Sequence, residues 1–285
     1  MGKIKKEDRL AEYELDWTDP FTEDLVQYVS KASGKLYDGL QDGKSPSSAF
    51  NEFVSAWDFY YFMPEESQTK SKKLMEAFLE MWEYVIQSKI NEFCDKCAEA
   101  VQDSVNTDSS IIDICCELNE AIFAVGGQIP EAPRIFDAAH NLATHGTFLS
   151  NACIAQLYIL CARVWYNCLG YPCVEEEKLL SEGIKHHMLA KAQEKAPKTE
   201  LYSLHIATAI YDATYVQLKN GAAKEEITDQ VLEAYNLLSS LESPTAFKEI
   251  EDLYQMTGIL YNDTGEEEYQ EAKQIGLDKK SALLS

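Results

Sequence analysis

Apolar residues recur along most of this 285-residue chain at intervals of three and four, the spacing that lays one apolar stripe down an α-helix. Between positions 46 and 62 the stripe is Phe50, Phe53, Val54, Trp57 and Tyr61, entered through Ser45 and Pro46 and stopped before Pro64. Between 72 and 101 it is Leu74, Phe78, Trp82, Val85, Ile86, Ile90, Phe93, Cys97 and Val101, which makes a helix of roughly eight turns. The polar residues at 107–110 can cap a helix over 111–125 that Gly126 and Gly127 end. Pro130 admits another over 132–144, and the segment 151–169 is apolar on most sides, the mark of a central helix. Pro172, Pro197, Gly221 and Pro244 then separate helices predicted over 175–194, 199–218, 224–241 and 245–263. The prediction is an all-α fold of about nine to ten helices, whose short loops make successive helices antiparallel neighbours. Gly126, Gly170, Gly221 and Gly265 follow one another at 44, 51 and 44 residues. That spacing suits stacked helical hairpins better than the strict tetratricopeptide period of about 34, whose Trp, Leu-Gly and Tyr pattern does not recur.

Charge narrows the function classes. Forty-eight acidic side chains stand against twenty-five basic ones, a formal balance of −23. Such a chain repels phosphate backbones and anionic lipid, so neither nucleic acid nor a membrane surface is an expected partner. Arginine, the residue best shaped for bidentate phosphate binding, occurs only as Arg9, Arg134 and Arg163. The first residues are charged with no apolar run behind them, so no secretory signal is expected and the eight cysteines are read as reduced, mostly buried thiols. The most apolar stretch, 154–169, is short for a bilayer and includes Gln156, Arg163 and Asn167. A cytoplasmic protein is the expectation.

Candidate chemistry is sparse. Cys94 and Cys97 have metal-site spacing, but they lie on an apolar helical stripe and no second such pair follows, so buried thiols are the better reading. His140 and His145 fall off a common helical face, while His186 and His187 with scattered acids are the only basis for a helical enzyme. No phosphate-cradling glycine loop, nucleophile elbow or zinc-protease motif is present. No catalytic residue, metal or cofactor is therefore predicted. The glutamate clusters at 175–177, 225–226 and 266–268 sit at helix starts or past helix ends, where acids are favourable or simply solvated. The aromatic run Trp57-Asp-Phe-Tyr-Tyr-Phe62 is too broad for one helix face, and burial against another helix or subunit is favoured over an exposed binding surface.

Several strings, in order, resemble the 14-3-3 family. Ala49-Phe-Asn-Glu-Phe-Val-Ser-Ala56, followed by Trp57-Asp-Phe-Tyr-Tyr61, resembles its third-helix motif A-Y-K-N-V-V-G-A-R-R-x-x-W. Glu92-Phe-Cys94 resembles part of E-L-R-D-I-C on the fourth helix, and Tyr158-Ile-Leu-Cys-Ala-Arg-Val-Trp-Tyr-Asn-Cys-Leu169 resembles Y-L-K-M-K-G-D-Y-Y-R-Y-L. The resemblance covers roughly 20–102 and 150–265. It implies a tetratricopeptide-related cup with a concave groove for phosphorylated segments, dimeric through its N-terminal helices. Here Asp16-Trp17-Thr-Asp-Pro20 interrupts the expected first helical pair. The family's phosphate clamp is a lysine, two arginines and a tyrosine, and the matching positions are Asn51, Asp58, Asn167 and Cys168, without one cation among them. Other groove positions fall at Ala207 or Thr208, Met256 or Thr257, and Leu260 or Tyr261. Each lost charge-assisted bond is worth about 1.5–3 kcal/mol, against about 8 kcal/mol for a whole micromolar complex, so phosphate anchoring should be weak or absent. Arg163, one turn before Asn167, is the one substitute phosphate contact.

The expectation is thus a single domain over 1–285, with an extra helix pair inserted at 107–149 and a flexible tail from about 266. That insertion could cover the groove, extend the helical layer or face a partner. The expected function is that of a non-catalytic adaptor binding protein or peptide segments, phosphorylated or not, as a homodimer through the N-terminal helices. The alternative is a tetratricopeptide-like interaction scaffold.

Overall fold

The computed structural model describes residues 11–102, 108–124, 129–146, 148–170 and 173–239, with positions 241 and 274. Among these residues there are ten α-helices and no strand. They divide into two compact units, residues 1–92 and 93–285, where the sequence suggests one domain. The predicted helix over 245–263, the tail from 266 and the groove positions Met256, Thr257, Leu260 and Tyr261 lie outside the described residues.

The described part of the first unit begins with a short 3₁₀ helix, Ala11–Tyr13, followed by a turn. Asp16 accepts hydrogen bonds from the Thr18 backbone N–H at 3.0 Å and its hydroxyl at 2.6 Å, and Asp19 Oδ1 accepts from Phe21 N at 2.9 Å. Carboxylates bonded to their own backbone two residues on favour a turn over a helix. Helix α1, Thr22–Gln41, follows, with Leu25, Val26, Val29, Ala32 and Leu36 buried. A 3₁₀ turn, Pro46–Ala49, leads into α2, Phe50–Phe62, then a short α3, Glu65–Lys70, and the long α4, Lys72–Gln102. Helix α3 ties the opening turn down, because Ser67 Oγ donates to Asp19 Oδ2 at 2.7 Å and Lys70 Nζ lies 3.3 Å from Asp16. The core is aromatic: Phe53 stacks between Phe78 and Trp82 at centroid distances of 4.7 and 5.5 Å, and Phe50 leans on Trp82 at 5.0 Å. The run 57–62 is less covered than expected. Trp57 to Tyr61 are half-buried and Phe62 is 36 % exposed, because α2 spends its best-buried face on Phe50, Phe53 and Ala56.

The second unit contains the end of α4, then α5 (Asp108–Ala124), α6 (Ala132–His145), α7 (Asn151–Val164), α8 (Cys173–Ala192), α9 (Glu200–Lys219) and α10 (Lys224–Ser239). Helix α7 is the hub and touches α5, α6, α8 and α9. Ser150 caps it, accepting from Cys153 N at 3.2 Å. A π-turn, Trp165–Leu169, prolongs it until Gly170, whose φ of +66° is the left-handed conformation that ends a helix without a Cβ penalty. By length and apolar content alone 151–169 is enough to cross a membrane. Here ten of the fourteen α7 side chains are buried in this unit instead.

The segment read from sequence as an insertion at 107–149 contributes two helices to this unit. Ile111, Cys115, Leu118, Ala121 and Ile122 of α5 are fully buried, and both α5 and α6 pack on α7. The pair extends the helical layer and supplies part of its core. Helices α7 and α8 pack tightly at Gly183: a Cβ there would stand 2.9 Å from Ile159 Cγ1 and 3.2 Å from the Ala155 carbonyl. A larger side chain there would hold the two helices apart.

Candidate functional site

The positions matching a phosphate clamp divide between the two units. Asn51 is exposed in the first turn of α2, where its carbonyl accepts from Ser55 Oγ at 2.9 Å, and Asp58 is half-buried on the same helix. In the second unit Asn167 Nδ2 donates to the Arg163 carbonyl at 3.2 Å, and burial pushes the half-buried Cys168 thiol up to about 11. Ala207 is fully buried, so it lines no open surface, and the half-buried Thr208 donates its hydroxyl to the Leu204 carbonyl at 2.9 Å. The Asn167 and Thr208 side chains thus each bond a carbonyl of their own helical segment.

Arg163, the substitute cation, is committed. Its Nη1 lies 2.6 Å from Asp212 Oδ2, which joins α7 to α9, and both side chains are largely covered. Glu176 of α8, 6 % exposed, completes the cluster. Burial first, then Asp212, pushes its carboxyl up to about 7, with Arg163 pulling the other way. His205 on α9 is held uncharged: burial first and the Arg163 charge second push its imidazole down to about 3. The charge on Arg163 thus balances neighbouring carboxyls and is not offered to a ligand.

An opening lies elsewhere in this unit, where α8, α9 and α10 meet. It is a cleft of about 560 Å³, lined by His187, Lys191, Pro197, Lys198, Ser203, Glu233 and Leu237 among others. That volume is in the range of sites that take a ligand or a peptide side chain. Three of its lining residues, His187, Lys191 and Glu233, belong to a connected polar chain that includes the buried Tyr202. Tyr202 Oη lies 3.1 Å from His187 Nδ1, His187 Nε2 lies 3.2 Å from Glu233 Oε1, and Lys191 bonds the other Glu233 oxygen. Burial alone would raise the Glu233 carboxyl, but the hydrogen bonds from His187 and Lys191 outweigh it and hold the group below its ordinary value. His187 is 2 % exposed with both ring nitrogens engaged. As arranged it braces three helices and has no nitrogen turned to a substrate. His186, its neighbour in sequence, faces α7 and meets Asn151 Oδ1 at 2.9 Å.

The cleft escapes sequence reading because its members come from 187–241 with no common spacing; the adjacent histidines are the only signal. Among the described residues no group of three or more His, Cys, Asp or Glu is placed to hold a metal ion. Cys97, Cys115, Cys116, Cys153 and Cys161 are buried and Cys94 half-buried, all free thiols. Burial drives the Cys97 thiol up to about 12, which keeps it protonated and inert. No protein-family model, curated protein or solved structure matches the chain.

Proposed function

We infer that this chain is a non-catalytic, 14-3-3-like binding module that takes protein or peptide segments without a phosphate anchor. The observation that carries this reading is the Arg163–Asp212 pair: the one cation the sequence offers as a substitute clamp is held at 2.6 Å by a carboxylate of its own unit. A phosphate arriving there would have to displace Asp212 beside a second acid, Glu176. The cleft between α8, α9 and α10 offers a different mode of capture. Leu237, Leu241, Pro197 and Ala196 form an apolar wall beside Lys191, Lys198 and Ser203, the combination that accepts an apolar side chain and orients its backbone.

A tetratricopeptide-like scaffold is the second reading. It is favoured by the successive helices α7 and α8, then α9 and α10, separated by Gly170 and Gly221 with φ of +66° and +81°.

The experiment is a comparison of one degenerate phosphoserine peptide pool with its dephosphorylated twin, binding to the intact protein at low salt. Equal retention of the two pools is expected, with both losing affinity in Leu237→Asp. Retention of the phosphorylated pool alone, abolished by Arg163→Ala, would show that the Asp212 pair opens for phosphate and the reading is wrong.

A further inference from the structure

Helices α5, α7 and α9 run side by side in a common register. Between α5 and α7 it is set by Ser150 N, which donates to Asp108 Oδ2 at 2.9 Å, and by Cys116 Sγ, 3.4 Å from Gln156 Oε1. Between α7 and α9 it is set by the Arg163–Asp212 pair and by Tyr202, which lies close enough to Cys153 to feel it electrostatically. Both of those pairings join residues forty-nine positions apart, and the same step sets His205 of α9 level with Gln156 of α7. Gln156 lies seven residues before Arg163 and His205 seven before Asp212, so each shares the face that its helix turns to the other. Asn119 of α5 stands one turn beyond Cys116 on one face, and α5 touches α9 as well as α7.

Polar atoms are left over at this level. Gln156 Nε2, both amide atoms of Asn119 and His205 Nδ1 have no hydrogen-bond partner, although Gln156 is fully buried, Asn119 is 3 % exposed and His205 9 %. Four orphaned groups in one seam would cancel a large part of a domain's net stability, because each forgoes the bonds it makes to water in the unfolded chain. The nearest other polar side chains are already engaged, Tyr202 with His187 and Arg163 with Asp212. Gln156, Asn119 and His205 do not bond one another either, yet their levels differ by no more than a helical turn of about 5.4 Å, a gap that one water spans. Their chemistry is mixed: amide donors, an amide acceptor and an imidazole that burial first and the Arg163 charge second keep neutral. A neutral molecule that both donates and accepts satisfies such a set, whereas an ion of either sign satisfies only half of it. The slight exposure of His205 leaves a way in from solvent.

We propose that the seam between α5, α7 and α9 is an internal hydration site, where bound water accepts from the Gln156 and Asn119 amides and donates to Asn119 Oδ1 and His205 Nδ1. Water held there ties three helices at a level where the weak Cys116–Gln156 contact is the side-chain bond they otherwise have. Enclosed on three sides by helices, it exchanges slowly with solvent. None of the three residues lines the α8–α9–α10 cleft, so this inference does not rest on the reading given there.

The test looks for that water in the intact protein in solution by two measurements. In the first, rotating-frame NMR follows transfer from water to the side-chain amide protons of Asn119 and Gln156, where dipolar contact and proton exchange differ in sign. Dipolar contact with water is expected at both amides. In the second, oxygen-17 relaxation dispersion counts the long-lived waters of the wild type and of Asn119→Leu combined with Gln156→Leu, which keeps the bulk of the side chains and removes their polar atoms. The double variant should lose about one such water or more, whereas Asn51→Ala, on the exposed start of α2, should lose none. The wild-type amide contacts decide the question by themselves where the double variant does not fold. The proposal is overturned if the two amides show no dipolar contact with water, as they would if they bonded one another directly, or if a folded double variant keeps the full count of long-lived waters.

Discussion

At the scale of single residues, Glu176 is the group whose chemistry departs furthest from what its sequence neighbourhood suggests. The run 175–177 reads as solvated acids at a helix start, and Glu175 does face solvent, pairing with Lys178 at 3.0 Å. Glu176 points the other way, into the space shared with Arg163 and Asp212, where burial and the second carboxylate lift its pKa from an ordinary 4.5 to about 7. The sign of the pH effect follows. The folded chain keeps a proton that the unfolded chain releases at lower pH, so the stability this group contributes is complete below about 4.5 and is lost as pH rises toward 7. In Glu176→Gln that loss disappears. The variant should match the wild type near pH 5 and exceed it by about 1–3 kcal/mol at pH 8, read as a shift in urea midpoint. A variant no more stable than the wild type at pH 8 would show that the carboxylate is already fully compensated. Asp212 and Arg163 lie forty-nine positions apart in sequence, and nothing local announces that they meet.

At the scale of elements, most boundaries were legible because the signals that set them are local. The stripe from Leu74 to Val101 and the stop before Pro64 place α4 at Lys72–Gln102 and the end of α2 at Phe62, within a residue of expectation. The departures have tertiary causes. Residues 46–49 form a 3₁₀ turn next to Ser45, whose hydroxyl lies 2.7 Å from Ser88 Oγ of α4, a contact no pattern contains. Helix α3 is too short for a period to show, and Ser67 and Lys70 hold it to the opening turn. Gly183 carries a prediction at this scale. It lies mid-helix, where glycine costs about 1 kcal/mol relative to alanine, and the structure gives the reason it is there: Ile159 and the Ala155 carbonyl leave no room for more. Gly183→Leu should lower stability by about 1–3 kcal/mol despite its better helix propensity, measured by thermal or urea unfolding. A stabilised variant would mean that α7 and α8 can move apart without loss.

At the scale of the whole molecule, charge is the property the composition already settles. With −23 distributed over the chain and Arg163 engaged by Asp212, a phosphopeptide meets net repulsion, and Arg163 is not free to release counterions when it binds. Raising the salt should therefore leave any residual phosphopeptide affinity unchanged or slightly improved. A steep loss of affinity with salt would reveal a cationic site. The same sequence determined that the fold is helical, that 151–169 is central, and that most thiols are buried, because apolar period, caps and glycine or proline stops act over a few residues each. It did not determine that 107–149 belongs to the core, that residues 1–92 and 93–285 form separate compact units, or that Ala207 is sealed inside. It also could not show the cleft lined by His187, Glu233 and Lys191. Those depend on which helix faces meet, and that is decided by side-chain fit and ion pairing between residues tens of positions apart, to which a periodic pattern is blind.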